Sequence, residues 1–167
     1  VTGAEKGVRV LGTVRGGSPA PLQTSRAMPK PPVAKRETPE QKYDRAHSLI
    51  IKHRKYGEAE KVLRGFIDTN PKHKLTPNAH YWLGRTFFVR GDFENAAFAF
   101  AEGFQNFPKS KKAPANLLNL GMSLSRLGKN REACTTYSRL LRNYRDAEDS
   151  VKRRVTRERA RAKCRRR

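Results

Sequence analysis

Residues 83–100, LGRTFFVRGDFENAAFAF, place small and aromatic side chains three and four residues apart around a Gly-Asp pair. The second half of this stretch belongs to a segment that recurs along the chain without gaps. The three copies are YGEAEKVLRGFIDTNP (56–71), FENAAFAFAEGFQNFP (93–108) and NREACTTYSRLLRNYR (130–145). Each copy begins 37 residues after the one before it. A fixed period of this length indicates a repeat architecture, in which similar units stack side by side.

The aligned copies share residue types at the positions where two helices would approach each other. One position holds alanine in every copy: Ala59, Ala96 and Ala133. Four residues later each copy has a larger side chain: Leu63, Phe100 and Tyr137. Apolar residues recur at helical spacing from Thr38 to about residue 144, and no segment alternates as a strand does, so an all-α fold is predicted. We expect seven helices, near 40–53, 56–69, 77–90, 93–106, 113–127, 130–143 and 147–163.

The spacing of aromatic residues, Leu-Gly, glycine, alanine and proline resembles the tetratricopeptide repeat. Leu83-Gly84 matches Leu120-Gly121, and Pro71 and Pro108 each close a unit, while Arg145 stands where a third proline would fall. The resemblance implies a solenoid of three helical hairpins plus a C-terminal capping helix, because a single unit cannot bury both of its faces.

Two longer stretches, PNAHYWLGRTFFVRGDFENAAFAF (77–100) and KSKKAPANLLNLGMSLSRLGKNREAC (109–134), resemble the C-terminal domain of the CpoB (YbgF) family of Tol–Pal-associated periplasmic proteins. RVLGT (9–13) and the terminal Cys164 are also similar to members of that family, although the basic tail is a departure. The resemblance implies a periplasmic scaffold that binds TolA and coordinates outer-membrane constriction with septal peptidoglycan synthesis by a penicillin-binding protein. It also implies a homo-oligomer, through an N-terminal coiled coil that this chain does not contain.

Composition divides the chain into three parts. The net charge of +22 is concentrated at the ends, since residues 1–36 carry seven Lys/Arg against one acid and residues 151–167 carry ten against one. Residues 1–38, rich in Gly, Ser, Pro and Lys, are predicted to be a disordered linker because they have little apolar surface to bury. Residues 39–146 are predicted to hold the three repeats, and residues 147–167 the basic capping helix and tail. No run of apolar residues is long enough to span a bilayer.

The register of the repeats predicts a partner-binding groove lined by the first helix of each unit. An aromatic pair, an arginine and several amides on one face suit an extended peptide with some polar character. The predicted groove residues are Asp44, Ser48, Asn78, Tyr81, Arg85, Phe88, Leu118, Asn119 and Met122.

Two other binding functions are weighed against this one. Tetratricopeptide adaptors that capture acidic C-terminal tails clamp the carboxylate with Lys and Asn, and most of that clamp is absent here. The matching positions hold Asp44, Ser48, Trp82, Ala115 and Asn119. A charge-driven nucleic-acid binder is the second alternative, but the tail VKRRVTRERARAKCRRR (151–167) has no aromatic residue on which bases could stack.

No catalytic, cofactor or metal site is predicted. The segment from Gly121 to Asn130 departs from a phosphate-binding loop both in the glycine spacing and in having Asn130 where a Ser or Thr would reach magnesium. His47, His53, His73 and His80 are spread over predicted helices and loops, and no histidine pair has the i, i+4 spacing and the carboxylate partner of a metal site.

Two cysteines allow at most one internal disulfide. Cys134 lies on the last repeat helix and Cys164 near the end of the capping helix. If that helix folds back antiparallel, the two thiols meet, and a domain resembling a periplasmic family would then form a Cys134–Cys164 bond. The alternative is a pair of free thiols.

Overall fold

The computed structural model describes Gly12 and residues 37–165 of the chain, and the main body contains seven α-helices. They are α1 (Pro39–Ile51), α2 (Tyr56–Thr69), α3 (Thr76–Val89), α4 (Phe93–Asn106), α5 (Ala113–Arg126), α6 (Asn130–Asn143) and α7 (Asp149–Arg161). No strand occurs over these residues, so the predicted all-α class is confirmed. The predicted linker, 1–38, lies outside the described range except for Gly12 and its last two residues.

The second helix of every hairpin begins and ends where the repeat register predicted: α2, α4 and α6 match at both ends. The first helices differ from the prediction by one or two residues. The largest difference is at α7, which begins at Asp149 because the chain at Glu148 is still non-helical, with φ −50° and ψ 140°. Helix boundaries fray and are the least determined part of a sequence pattern.

Local sequence accounts for several of the helix starts. Thr38 forms a capping box with Gln41, in which each side chain accepts a hydrogen bond from the other residue's backbone N–H. Asp92 caps α4 by accepting from the backbone N–H of Asn95. Helices α1, α3 and α5 each have proline in the first turn, where its missing N–H costs nothing.

The helices form three antiparallel hairpins, α1–α2, α3–α4 and α5–α6, followed by α7. Each first helix contacts the first helix of the next unit, so that α1, α3, α5 and α7 lie in a continuous inner layer. The second helices α2, α4 and α6 do not contact one another. The stack is therefore curved, with the first helices on the inner side of the curve.

The repeat register is explained by packing at each helix crossing. Ala59, Ala96 and Ala133 are fully buried, as are the large side chains that follow them, Leu63, Phe100 and Tyr137. Burial of an aromatic or leucine side chain contributes about 1.5–3 kcal/mol, so these layers supply much of the stability of the solenoid.

Helix α7 closes the end of the stack and is covalently attached to it. It packs against both α5 and α6 and buries Val155 and Ala162 in the same cluster as Leu140. Cys134 and Cys164 are paired as a disulfide, with their Cα atoms 5.5 Å apart. None of the described helices is long and apolar enough to cross a membrane.

Candidate functional site

The inner layer of first helices carries the predicted groove, and the structure divides the groove residues into two groups. Those on α1 and α3 reach the surface: Asp44 is exposed, and Ser48, Asn78, Tyr81, Arg85 and Phe88 are partly exposed. Those on α5 do not, since Leu118, Asn119 and Met122 are only 7%, 5% and 7% exposed.

The burial of the α5 residues corrects the predicted extent of the groove. Leu118 and Met122 belong to the cluster that includes Val155 of α7, because α7 packs against α5 as a further first helix. Asn119 is turned inward and its amide donates to the Ala115 carbonyl oxygen at 2.7 Å. The accessible part of the groove is therefore formed by α1 and α3.

Aromatic rings form the wall of this accessible part. The Trp82 ring meets the His47 ring edge-on at 4.8 Å and the Tyr81 ring at 5.3 Å, which joins α1 to α3. Tyr43 lies on the same side of α1, with its ring centroid 6.3 Å from that of His47. Burial raises the pKa of the Tyr43 hydroxyl, so this group stays protonated over a wide pH range.

Cations from the two ends of α5 cover the rings of α3. Lys112 Nζ lies 5.0 Å from the centroid of Tyr81, and Arg126 Cζ lies 5.9 Å from that of Phe88. Each cation is within the range in which it is attracted to the ring face, an interaction of about 0.5–1 kcal/mol at exposed sites. These contacts hold α5 against α3 and give the edge of the groove a positive charge.

Arg85 lies between Tyr81 and Phe88 along the same face of α3, four residues from one and three from the other. Among residues 37–165 its guanidinium makes neither a salt bridge nor a hydrogen bond of its side chain. An uncommitted guanidinium beside aromatic rings can donate two parallel hydrogen bonds to a carboxylate of a partner. Arg85 is thus the residue of the groove best suited to bind a protein ligand.

A cleft of about 400 Å³ opens on the outer side of the curve, between α2 and α4. Phe98, 65% exposed, forms one wall, and His80 of α3, 4% exposed, lies at its floor. The Nδ1 atom of His80 has no hydrogen-bond partner among residues 37–165, and burial lowers the pKa of its imidazole. The sequence analysis did not predict this cleft. The available signal was Phe98 itself, because the matching positions in the other repeats hold Lys61 and Thr135.

The part of the chain that the structure describes contains no cluster of three or more His, Cys, Asp or Glu side chains able to hold a metal ion. The accessible groove presents aromatic rings, amide groups and an arginine, which are side chains suited to binding a ligand.

Comparison with protein-family models agrees with this architecture. A model described as tetratricopeptide repeat matches residues 43–111, and a second model with the same description matches residues 115–147. The two matches together span more than half of the chain. No curated protein matches the chain in sequence. Stacked helical repeats of this kind suggest a protein–protein interaction scaffold, and the chain belongs to the tetratricopeptide repeat family.

Proposed function

We propose that this chain is a non-enzymatic, protein-binding scaffold domain of the cell envelope, located in the periplasm, that binds TolA of the Tol–Pal system. Through that contact it would coordinate outer-membrane constriction with septal peptidoglycan synthesis by a penicillin-binding protein during cell division. The proposal for these partners rests on the resemblance of residues 77–100 and 109–134 to the CpoB family. The broader function, protein binding, rests on the fold and the groove.

The observation that carries the binding function is the placement of Arg85 between two aromatic side chains on the accessible face of α3. Tyr81 and Phe88 are partly exposed, so a partner that covers them buries apolar surface. The Arg85 side chain has no acidic partner among the described residues, so a carboxylate of the partner can pair with it without displacing an existing ion pair. Aromatic and arginine side chains are the residue types that dominate binding energy at protein interfaces.

The Cys134–Cys164 pair supports the periplasmic location. Disulfides form and persist in oxidising compartments and are rare where glutathione and thioredoxin keep thiols reduced. The pair joins α6 to the end of α7, which is a structural rather than a catalytic position in this fold.

A charge-reversal experiment tests the groove. The chain with Arg85→Glu is compared with the chain with Lys61→Glu, which makes the same charge change at an exposed position of α2. Binding to the soluble part of TolA is measured by isothermal titration calorimetry, and helicity by circular dichroism. We expect Arg85→Glu to weaken binding about 10-fold or more, because two like charges brought together at an interface cost several kcal/mol. Lys61→Glu should change the affinity about 2-fold at most. Equal affinities for the two variants would show that TolA does not bind in the groove.

A further inference from the structure

Another cleft lies at the end of the stack, away from the accessible groove. It is a cleft of about 990 Å³ between α6 and α7, with Cys134 of α6 and Cys164, which follows α7, both in its lining. In a longer solenoid the outer face of α6 would be covered by the next repeat. Here α7 reaches only part of that face, and Leu141 remains partly exposed within the cleft.

The charged residues between 37 and 165 that line this cleft all have the same sign. Five cations of this range contribute to it: Arg131, Arg142, Arg159, Lys163 and Arg165. No Asp or Glu of the same range lines the cleft. Arg159 donates a hydrogen bond to the hydroxyl of Ser138 at 2.8 Å, and none of the five forms an ion pair with a carboxylate over residues 37–165.

Other cations of α7 are neutralised within the helix itself. Arg154 and Arg161 both pair with the buried carboxylate of Glu158, each at 3.0 Å, and Lys152 pairs with Asp149 at 2.9 Å. The positive charge of α7 is therefore divided between a paired set and an unpaired set. Arg159 of the unpaired set faces the cleft, together with Lys163 and Arg165 beyond the helix, whereas Arg153 and Arg157 lie outside it.

The walls of the cleft are held at a defined separation. The disulfide ties residue 134 to residue 164, and the Arg159–Ser138 hydrogen bond crosses from α7 to α6 one turn farther along. The floor includes apolar side chains, Leu141 and Ala162. A fixed cleft with an apolar floor and a cationic rim needs little rearrangement to bind a ligand, which favours affinity.

The chemistry of the lining selects among ligands. Arginine guanidinium groups form two parallel hydrogen bonds with carboxylates as well as with phosphates, so positive charge alone does not distinguish these two ligands. No aromatic side chain of the described residues lines the cleft, so they offer nucleobases no surface for stacking. A second copy of the chain would bring a like-charged end to this surface, which disfavours self-association. An acidic peptide with apolar side chains matches both the rim and the floor.

We propose that the α6–α7 cleft is a second interaction site, which binds an acidic segment of a protein partner, with carboxylates on the arginine rim and an apolar side chain over Leu141 and Ala162. This site is independent of the groove on α1 and α3 and does not require that the groove bind TolA.

The test uses the full chain in its oxidised form and a fluorescein-labelled peptide of alternating Glu and Leu, with binding measured by fluorescence anisotropy. The cleft variant is Arg131→Glu/Arg142→Glu, on the α6 wall. The matched control is Arg153→Glu/Arg157→Glu, which makes the same charge change at exposed positions of α7 outside the cleft. We expect the cleft variant to bind about 10-fold or more weakly and the control to lose about 3-fold at most. Circular dichroism verifies that both variants fold.

Two further peptides, an oligonucleotide and one further variant identify the class of ligand that the cleft binds. A peptide of alternating Glu and Gly should bind more weakly than the Glu-Leu peptide, and one of alternating Gln and Leu should not bind. Equal losses in the cleft variant and its control would overturn the proposal, because binding would then follow net charge. Tighter binding of an oligothymidylate of equal charge, with the same dependence on Arg131 and Arg142, would overturn it in favour of a nucleic-acid ligand. Arg85→Glu should leave peptide binding unchanged, and a loss there would place the peptide in the groove instead.

Discussion

Gly84 lies directly against the ring of Phe100, so close that a Cβ atom at residue 84 would stand 2.5 Å from Phe100 Cε1. Gly121 has the same relationship to the ring of Tyr137, 37 residues farther along the chain. Both rings are fully buried between the two helices of a hairpin. The absence of a side chain at these glycines sets how closely the first and second helices of a unit approach each other.

Gly84→Ala is therefore expected to destabilise the chain. The new methyl group would displace a buried ring that has no free space to move into, and overpacking of this kind costs about 1–3 kcal/mol. Gly57→Ala is the control, because a Cβ there would meet only the end of the Arg90 side chain, at 3.9 Å. That change should leave the stability unchanged or raise it, by at most about 1 kcal/mol. Guanidinium unfolding measures both, and equal free energies of unfolding would contradict the packing described here.

Tyr137→Phe is expected to stabilise the chain by about 1 kcal/mol, since a buried hydroxyl without a partner incurs its full desolvation penalty. The Tyr137 hydroxyl is buried and has no hydrogen-bond partner in the part of the chain that the structure describes, and Phe100 already fills the equivalent position in the second repeat. Tyr144→Phe should have the opposite sign, because the Tyr144 hydroxyl donates to the Pro108 carbonyl oxygen at 2.6 Å. Denaturant midpoints compare the two variants, and a loss of stability in Tyr137→Phe would show that its hydroxyl is satisfied.

The buried His80 predicts how stability depends on pH. Burial lowers the pKa of His80 below its ordinary value of 6.5, so the unfolded chain binds a proton more readily than the folded chain. The contribution of His80 to the free energy of unfolding is therefore fully present above about pH 6.5. It decreases as the pH falls through the pKa of the unfolded state towards the lower pKa of the folded state. The free energy of unfolding of the unchanged chain should therefore fall more steeply below about pH 6.5 than that of His80→Phe. Parallel curves for the two proteins would show that His80 does not contribute.

The Cys134–Cys164 disulfide predicts that the protein, kept oxidised throughout, has no titratable thiol. Its reduction should lower the free energy of unfolding by about 3–4 kcal/mol in the chain-entropy model for a bond that spans 30 residues. Cys134→Ser/Cys164→Ser is the control, and its unfolding should be insensitive to reductant. Two free thiols in the oxidised material would mean that packing alone holds α7.

Much of the fold follows from local sequence because each helix of a repeat meets mainly its neighbours. The exact bounds of α2, α4 and α6 could be predicted from the alanine and aromatic register, and the capping box at Thr38 from four consecutive residues. The groove could be predicted only in part. Tyr81, Arg85 and Phe88 share a face of one helix, which spacing alone specifies, and they remain accessible.

By itself, the sequence determined the helical class and the period of 37 residues, because these depend on the type of side chain at fixed spacing within one or two helices. The tertiary structure alone decided which faces stay open. Leu118 and Met122 repeat the groove pattern yet are buried, because α7 packs against α5, and the cationic cleft exists because α7 covers only part of α6. Both outcomes depend on how the last helix is oriented. That orientation is set by contacts between residues far apart in the chain, such as the 134–164 pair, and no local periodicity specifies it.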